Sequence, residues 1–517
     1  MTRVINNKQI IVAVRMWLAF REIAFRIILL TIEIIDLEAV PRANAILRFC
    51  FYRVFIVRRH SLRNKMGASM SINADGHAPA LDAVHKMSDT ASLLLERQLE
   101  QLKKNLHLAI IFGGDKKAPD SVIYRSANTR SWKSYEAVAC DIANSLRSSG
   151  FRHVDVIPED MRMADRLHRS GTHMAWLNTG GVQGHNSAAH ASSVLEMLGI
   201  PYVGHDPLSA TTLDNKHAFK REAVCAGLPT SPFCTWNMSR GQFVPEMNSC
   251  YQRAFGEYRG PFIVKPVSGR ASLHVHVVDD RDDLPAVVAE VYAATSNIVL
   301  IEKFLPGREF CVAVMGKVTA PGGIITRGQD PFAFAVLERT FSPGEMIFTS
   351  MDVKPITGAR FKSVSETEEP KLVAELKRLA REVYLEFNLG SIIRIDLRSD
   401  EFDNPCILEA NPKPDLKRPT AEATSLIAAG LAETNLSYDD LIFSLFADRY
   451  DFLSRHRAES IKHITDLLGS AATDTANLRL AVSHDKTDLM VDSLKKVAGE
   501  MRRSEGSGPA AAMAAQG

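Results

Sequence analysis

Apolar and charged residues alternate most regularly between Ser391 and Ala410. Ile393, Ile395 and Leu397 interleave with Arg394, Asp396 and Arg398. That is the period of a strand whose two faces meet different surroundings. The pattern predicts strands over 391–398 and 405–410, joined by the polar turn 399–404. Glu409 lies in the second strand and Asn411 two residues on, so the two share a face. Paired as a hairpin, the strands can bring Asp396, Glu409 and Asn411 together as hard oxygen ligands, with Arg394 beside them. Such a set suits Mg²⁺, which takes carboxylates together with substrate phosphates. An ordinary hairpin with solvated charges fits the same spacing, and only the preceding chain separates the two readings.

Upstream, helix-like and strand-like patterns take turns. A leucine-rich face (Leu93, Leu94, Leu95, Leu99, Leu102) predicts a helix over 87–104, and 66–86, small and polar, reads as disordered. An apolar run over 106–112 predicts a buried strand that stops at Gly113-Gly114. A helix over 134–149, strands at 154–157 and 174–177 and a helix over 190–198 follow. This alternation argues for an open α/β sheet with parallel strands. Ligands of such sheets lie at the carboxyl ends of strands, so Gly113-Gly114 and 178–184 are candidate substrate loops, with plain turns as the alternative. His185 and His190 lie at the second loop, where surface or helix-capping roles are the simpler reading.

Asp214-Asn215-Lys216 opens a helix to Ala226, and FIVKP at 262–266 is a strand carrying Lys265. The small residues of 267–272, ending at Ser272, can fold over phosphates and offer backbone N–H groups to them. β character resumes over 273–278. An apolar strand from Ile298 ends in Glu302-Lys303, passes Phe304-Leu305 and a Pro-Gly turn, and re-enters β structure at Glu309 and over 311–315. Residues 326–360, with Lys354, are rich in Gly and Pro and read as loops. Helices are expected over 368–387, 421–430 and 439–446, and 448–517 as helical and charged with a disordered tail from Ser504.

Composition narrows the class. The 517 residues imply several domains. With 46% apolar and 24% charged residues the chain is an ordinary globular protein. A net charge of +2 gives no reason to expect a nucleic-acid partner. Seven cysteines, at 50, 140, 225, 234, 250, 311 and 406, form no CxxC, which favours a reducing, cytoplasmic setting over disulfides or zinc. The first 65 residues differ: they hold twelve Lys/Arg against four Asp/Glu, +8 of the total, so the remainder carries −6. Lys8, Arg15, Glu22, Arg26 and Glu33 fall within about 40° on a helical wheel, with apolar residues around the other faces. A helix lying on an anionic membrane surface is one reading. The other is that residues 1–65 are not native and that Met66 or Met70 is the start.

Taken together, residues 105–447 resemble the ATP-grasp superfamily, and within it the D-alanine–D-alanine ligase-like branch. The pieces that carry this are QGHNSAAHASSVLEMLGIPYVGHDPLSATTLDNKHAFKREAVCAGLPTSPF at 183–233, FIVKP at 262–266, IEKFLPGREF at 301–310 and RIDL with ILEANPKPDL, ending at Leu416. The order and spacing of the four are specific where any single one is not. The resemblance implies an α/β (α+β) chain: an N-terminal open α/β substrate domain followed by a two-lobed ATP-grasp fold. The expected division is an apolar and basic extension at 1–65, a linker and helix at 66–104, the α/β domain at 105–205, a central lobe at 206–300, a C-terminal lobe with the metal hairpin at 301–447 and a tail at 448–517.

It implies an ATP-dependent carboxylate–amine ligase that works through an acyl phosphate. In that reading Lys216 and Lys265 contact ATP phosphates. Glu302 with Lys303, Phe304 and Leu305 lines the adenine pocket, and Glu309 holds the ribose. Asp396, Glu409 and Asn411 bind two Mg²⁺ ions, with Mn²⁺ as a substitute, Glu409 bridging them. Arg394 stabilises the oxyanion and Ser272 of the phosphate loop is the second catalytic residue. Small amino-acid-like substrates are implied, with a homodimer and peripheral membrane contact through 1–65 as further options. The alternatives are an ATP-binding protein with reduced catalysis and a membrane-peripheral protein acting through its N-terminal helix. Three stretches depart from the family. NTGGVQGHN at 178–186 lacks an acidic pair, GRASLH at 269–274 lacks paired serines, and PKPDL at 412–416 lacks the usual Pro-Gly and Ser. These departures argue against D-alanyl-D-alanine as the product.

Overall fold

The computed structural model describes residues 78–115, 117–124, 134–184, 186–269, 272–342, 344–347, 360–420 and 424–469. Residues 1–65, His185, Lys354 and the tail from Ser504 lie outside them. The chain divides into two units, Met1–Asp82 and Ala83–Gly517. Of the smaller unit only residues 78–82 are described, as the start of helix Ala78–Asn105. That helix corrects the expectation of disorder up to residue 86: Ala, Leu and Lys are strong helix formers and outweigh the segment's polarity.

Four parallel strands form the first sheet: β1 (His107–Phe112), β2 (His153–Pro158), β3 (Met174–Asn178) and β4 (Tyr202–Val203), in the order β2-β1-β3-β4. The β1 run is buried from Leu108 onward because helices cover both faces. Helix Glu136–Ser148 packs on one face with Ala139, Ile142 and Leu146, and helix His190–Leu198 on the other with Ala191 and Leu195. The loops after β1 and β3 therefore leave the same end of the sheet. Gly181 makes the second loop close on itself. Its φ is +86°, and a Cβ there would stand 2.1 Å from the Ser187 carbonyl oxygen.

A helix not foreseen in the sequence, Pro207–Asp214, follows β4. It is capped by Asp206, which accepts from the Ser209 N–H at 2.9 Å, and its proline sits in the first turn. The chain then breaks at Asn215, whose side chain caps helix Lys216–Cys225 by accepting from Ala218 at 3.0 Å. The second sheet holds β5 (Phe233–Trp236), β6 (Phe262–Pro266), β7 (His276–Val278) and β8 (Val299–Lys303), all antiparallel, in the order β5-β8-β6-β7. β7 is shorter than the stretch expected from Leu273. β8 runs across the 300/301 boundary drawn from sequence, so the central sheet keeps residues through Lys303.

The third sheet is built on β9 (Glu309–Met315), whose residues are buried throughout. A short pair, β10 (Val318–Thr319) with β11 (Thr326–Arg327), follows. Then β12 (Phe332–Ala333) and β13 (Leu337–Arg339) replace part of the expected loop region, and β14 (Phe361–Ser363) follows just past it. Helix Pro370–Glu386 packs Val373, Leu376, Leu379 and Val383 into the core beneath this sheet. It leads to β15 (Ile393–Ser399) and β16 (Pro405–Asn411). The sheet order is β14-β13-β9-β15-β16, with β12 paired to β9. Helix Leu426–Ala432 is shifted from its expected span, and helix Tyr438–His456 crosses the 447/448 boundary. Tyr450, Leu453, Ile461 and Ile464 are core residues, so the described part of the supposed tail belongs to the fold. Among the described residues no helix is long and apolar enough to cross a membrane.

Candidate active site

Two clusters of buried charge face one cleft. The first is set by β6, β8 and helix Lys216–Cys225. In the β6–β8 register Glu302 stands opposite Ile263 and Lys265 opposite Leu300, so Lys265 is the diagonal same-face neighbour of Glu302. Lys220 follows Lys216 by one helical turn and enters from the other side. Its Nζ lies 2.6 Å from Glu302 Oε1, and Lys265 Nζ pairs with Oε2. Lys220 also donates to Thr230 Oγ1 at 2.5 Å and to Ser231 Oγ at 3.2 Å. Burial alone would raise the Glu302 carboxyl, but the two ammonium groups outweigh it and hold it down at about 2. Burial pushes Lys220 down, whereas for Lys265 the neighbouring Glu302 and Glu409 outweigh burial and raise it. Two lysines on one carboxylate leave an excess positive charge at the cleft wall.

The second cluster is the hairpin. β15 and β16 pair antiparallel with Asp396 opposite Glu409 and Arg394 opposite Asn411. The register shifts just past Asp396, leaving Leu408 as the extra residue of a β-bulge. Arg394 grips Asp396 with both arms, Nε to Oδ1 at 2.8 Å and Nη2 to Oδ2 at 2.9 Å. Arg339, at the end of β13, adds Nη2 at 3.0 Å and pairs with Glu309 through Nη1. Arg398 lies 3.4 Å from Glu309, and Asn411 Nδ2 donates to Asp396 at 3.2 Å. Lys216 Nζ reaches Glu409 at 3.2 Å. Asp396 is 3% exposed, so the solvated-charge reading of this hairpin is wrong. Burial raises the Asp396 carboxyl, and Arg339 and Arg394 reverse this and hold it at about 2.

All twelve residues singled out from sequence line the cleft, whose volume is about 300 Å³. Lys216, Lys265, Ser272, Glu302 and Glu309 meet Arg394, Asp396, Glu409 and Asn411 there, and Lys303, Phe304 and Leu305 close one end. The N–H groups of Lys303 and Phe304 donate to the Pro232 and Pro261 carbonyls at 3.0 Å each, which fixes that segment. Lys303 Nζ pairs with Glu401 at 2.7 Å. Ser272 and His274 hold φ of +50° and +57°, a left-handed conformation that costs a non-glycine residue energy and marks this turn as strained. At the opposite end Lys413 Nζ lies 3.3 Å from the centre of the Tyr135 ring. Of the two candidate substrate loops, the one after β3 lines a smaller cavity next to this end, through Asn178, Thr179 and Gly180.

Asp396, Glu409 and Asn411 offer two carboxylates and one amide within a single strand pair. Among the described residues no group of three or more His, Cys, Asp or Glu has the arrangement of a metal site. Two carboxylates and an amide are the smaller set that Mg²⁺ uses when phosphates complete its shell, and these hard oxygens fit it.

Arg339, Lys220, Tyr135 and Arg398 belong to the site without having been assigned a role in it from sequence. Lys220 was within reach of a sequence argument, since it lies four residues after Lys216 on the same helical face. Arg339 was not, because β13 is three residues long and gives no readable alternation.

Residues 224–447 match the family model described as D-ala D-ala ligase C-terminus. The chain is 25% identical over 257 residues to the uncharacterized protein y4sG of Sinorhizobium fredii, covering 50% of this chain and 70% of that one. It is 25% identical over 278 residues to D-alanine–D-alanine ligase of Gloeobacter violaceus, covering 54% of this chain and 82% of that one. A solved structure of D-alanine–D-alanine ligase from Bacillus anthracis, complexed with ATP, covers 68% of this chain and 99% of its own at 16% identity, with a TM-score of 0.48.

Proposed function

On the premise that the chain is an ATP-grasp protein, D-alanine–D-alanine ligase-like, we propose that it joins the carboxylate of one amino-acid-like substrate to the amine of another. ATP drives the reaction through an acyl phosphate. A carboxylate oxygen attacks the γ-phosphorus and ADP leaves. The amine then attacks the acyl carbon, phosphate leaves, and the amine proton passes to solvent. The observation that carries this reading is the convergence of all twelve motif residues on one cleft.

In this reading Lys216 and Lys265 flank the phosphates, and the excess positive charge of the Lys220–Glu302–Lys265 trio favours a polyanion there. Glu302 orders the two lysines beside the adenine end, where Lys303, Phe304 and Leu305 form the wall. Glu309, held by Arg339 and Arg398, faces the ribose. Arg394 is placed to leave Asp396 for the oxyanion of the tetrahedral intermediate, where a fixed cation is most effective. Ser272 and the strained loop around it cover the phosphates and keep water from the acyl phosphate. Asp396, Glu409 and Asn411 would hold Mg²⁺, which when bound offsets the negative charge crowded around the γ-phosphate. The altered stretches at 178–186 and 412–416 fall on the amino-acid side, so the nucleotide half is family-like and the substrate half is this chain's own.

ADP release by the full-length protein with Mg-ATP and a panel of D- and L-amino-acid pairs tests this. A dependence on both amino acids is expected, and Glu409→Gln should lower the rate by at least about 100-fold without shifting the melting temperature. Near-normal turnover in that variant would overturn the site assignment.

A further inference from the structure

Four histidines meet at the amino ends of the first sheet's strands, away from the loops that face the cleft. β1 begins at His107 and β2 at His153, side by side in the parallel register, and His173 immediately precedes β3. The His107 and His153 rings stack with centroids 4.3 Å apart, and His173 meets His107 edge-on at 5.3 Å. His463, from helix Lys462–Thr465, lies 6.4 Å from His173. Among the described residues no group of three or more His, Cys, Asp or Glu is arranged to hold a metal ion, so the chemistry of this cluster is that of its protons.

Hydrogen bonds fix where those protons sit. His107 donates from Nδ1 to the Ser170 carbonyl at 3.1 Å, and His463 from Nε2 to the His173 carbonyl at 3.0 Å, since a carbonyl oxygen only accepts. Both rings can take a second proton and keep these bonds. His173 cannot. Its Nδ1 accepts from the His107 backbone N–H at 3.0 Å, while its own backbone N–H donates to the His107 carbonyl at 2.9 Å. A proton on Nδ1 would set two donors against each other. Burial pushes the His173 imidazole below the ordinary histidine value, and His107 and His463 add to this. The surrounding elements offer no counter-charge. Lys103 of helix Ala78–Asn105 pairs with Glu100, Arg169 of helix Met163–Arg169 with Asp165, and Lys462 with Asp466. Lys104, Arg152, Asp155, His168 and Glu459 are the other charged or titratable groups at these element ends. The charges that act on His173 are those of His107 and His463.

We propose that this cluster is a pH-sensitive latch on the C-terminal segment 458–469. With His173 neutral, His463 is bonded to its carbonyl, and Ile461, Ile464 and Leu468 share a core with Leu106, Phe151 and Met174. A proton on His173 breaks the bond from His107 and sets charged imidazoles against one another, which loosens the segment. Once loosened, His173 returns towards its ordinary value of about 6.5, so the loosened form binds more protons. Docking is therefore complete above that pH and weakens as pH falls below it. None of the four histidines lines the cleft, so the latch stands apart from the ligase reading.

Hydrogen exchange of the full-length protein at pH 7.5 and 5.5, corrected for the intrinsic exchange rate at each pH, tests the latch. Protection of 458–469 and of the His107 amide should fall about tenfold at the lower pH, for one proton over one pH unit. The hairpin 393–411 should keep its protection. His173→Asn supplies an oxygen that accepts from the same N–H and does not titrate, so it should hold the segment equally at both pH values. If His173→Asn does not fold, the wild-type contrast between segment and hairpin decides alone. Unchanged protection of 458–469 at pH 5.5, an equal loss in the hairpin, or a loss in His173→Asn as large as in the wild type would overturn the proposal.

Discussion

Glu302 and Asp396 are both buried carboxylates gripped by two cations in one cleft, and they differ in what surrounds the grip. Glu302 lies between Lys220 and Lys265, and Lys220 is itself locked by Thr230 and Ser231. Its partners come from a helix and a neighbouring strand, so the trio ties helix Lys216–Cys225 to the central sheet. Asp396 lies between Arg394 and Arg339 with Glu409 directly across the strand pair and Asn411 beside it. Acidic neighbours normally repel, so this second arrangement depends on its cations, and on the proposed reading Mg²⁺ would join them there. Two similar ion pairs thus separate into one that fastens the fold and one that, on the proposed reading, would exchange partners during the reaction.

The difference can be broken by experiment. The largest effect on stability is expected for Glu302→Gln, which leaves two lysines buried against each other. Urea unfolding should show a loss of about 3–5 kcal/mol, and a loss below about 1 kcal/mol would mean that the trio does not fasten the helix to the sheet. The pH dependence of stability comes next. Both carboxylates are held at about 2 in the folded protein, below their unfolded values near 4. A depressed folded value gives stability that is fully present above the unfolded value and is lost as pH falls through the folded one. Unfolding free energy should therefore carry the full contribution of these groups, with no pH dependence from them, above about pH 5, and should lose it between about pH 4 and 2. Glu302→Gln should flatten part of that fall.

Arg339→Met should cost less, about 1–3 kcal/mol, because Asp396 keeps Arg394 and Glu309 keeps Arg398. A larger loss than for Glu302→Gln would reverse the comparison. The smallest stability effect is expected for Glu409→Gln, within about 1 kcal/mol, since Glu409 is only half-buried and its ion pair with Lys216 is long, at 3.2 Å. That variant should nevertheless remove turnover, so the two readouts separate fastening from chemistry.

The sequence carried the hairpin, the central strand FIVKP and the segment from Ile301 to Phe310, because each is a run long enough for alternation to be read. It did not carry β4, β12 or β13, which are two or three residues long and exist through their neighbours rather than through their own pattern. Arg339 was lost with β13. The helix over 78–86 was obscured by small and polar residues, and helix Pro207–Asp214 by its threonines and serine, although Asp206-Pro207 is a readable start signal. His173 gave no sign of its place, since the bond its Nδ1 accepts from the His107 N–H is a property of the packed chain. Only the folded arrangement distinguishes it from a histidine in an exposed turn.

The most direct test of the acyl-phosphate route follows oxygen. The substrate amino acid that supplies the carboxylate is labelled with heavy oxygen in both carboxyl positions, and the phosphate released by the full-length protein with Mg-ATP and the second amino acid is analysed by mass spectrometry. The account predicts that each phosphate carries one labelled oxygen, because the carboxylate oxygen that attacks the γ-phosphorus leaves with it. Amide formation accompanied by unlabelled phosphate would contradict it.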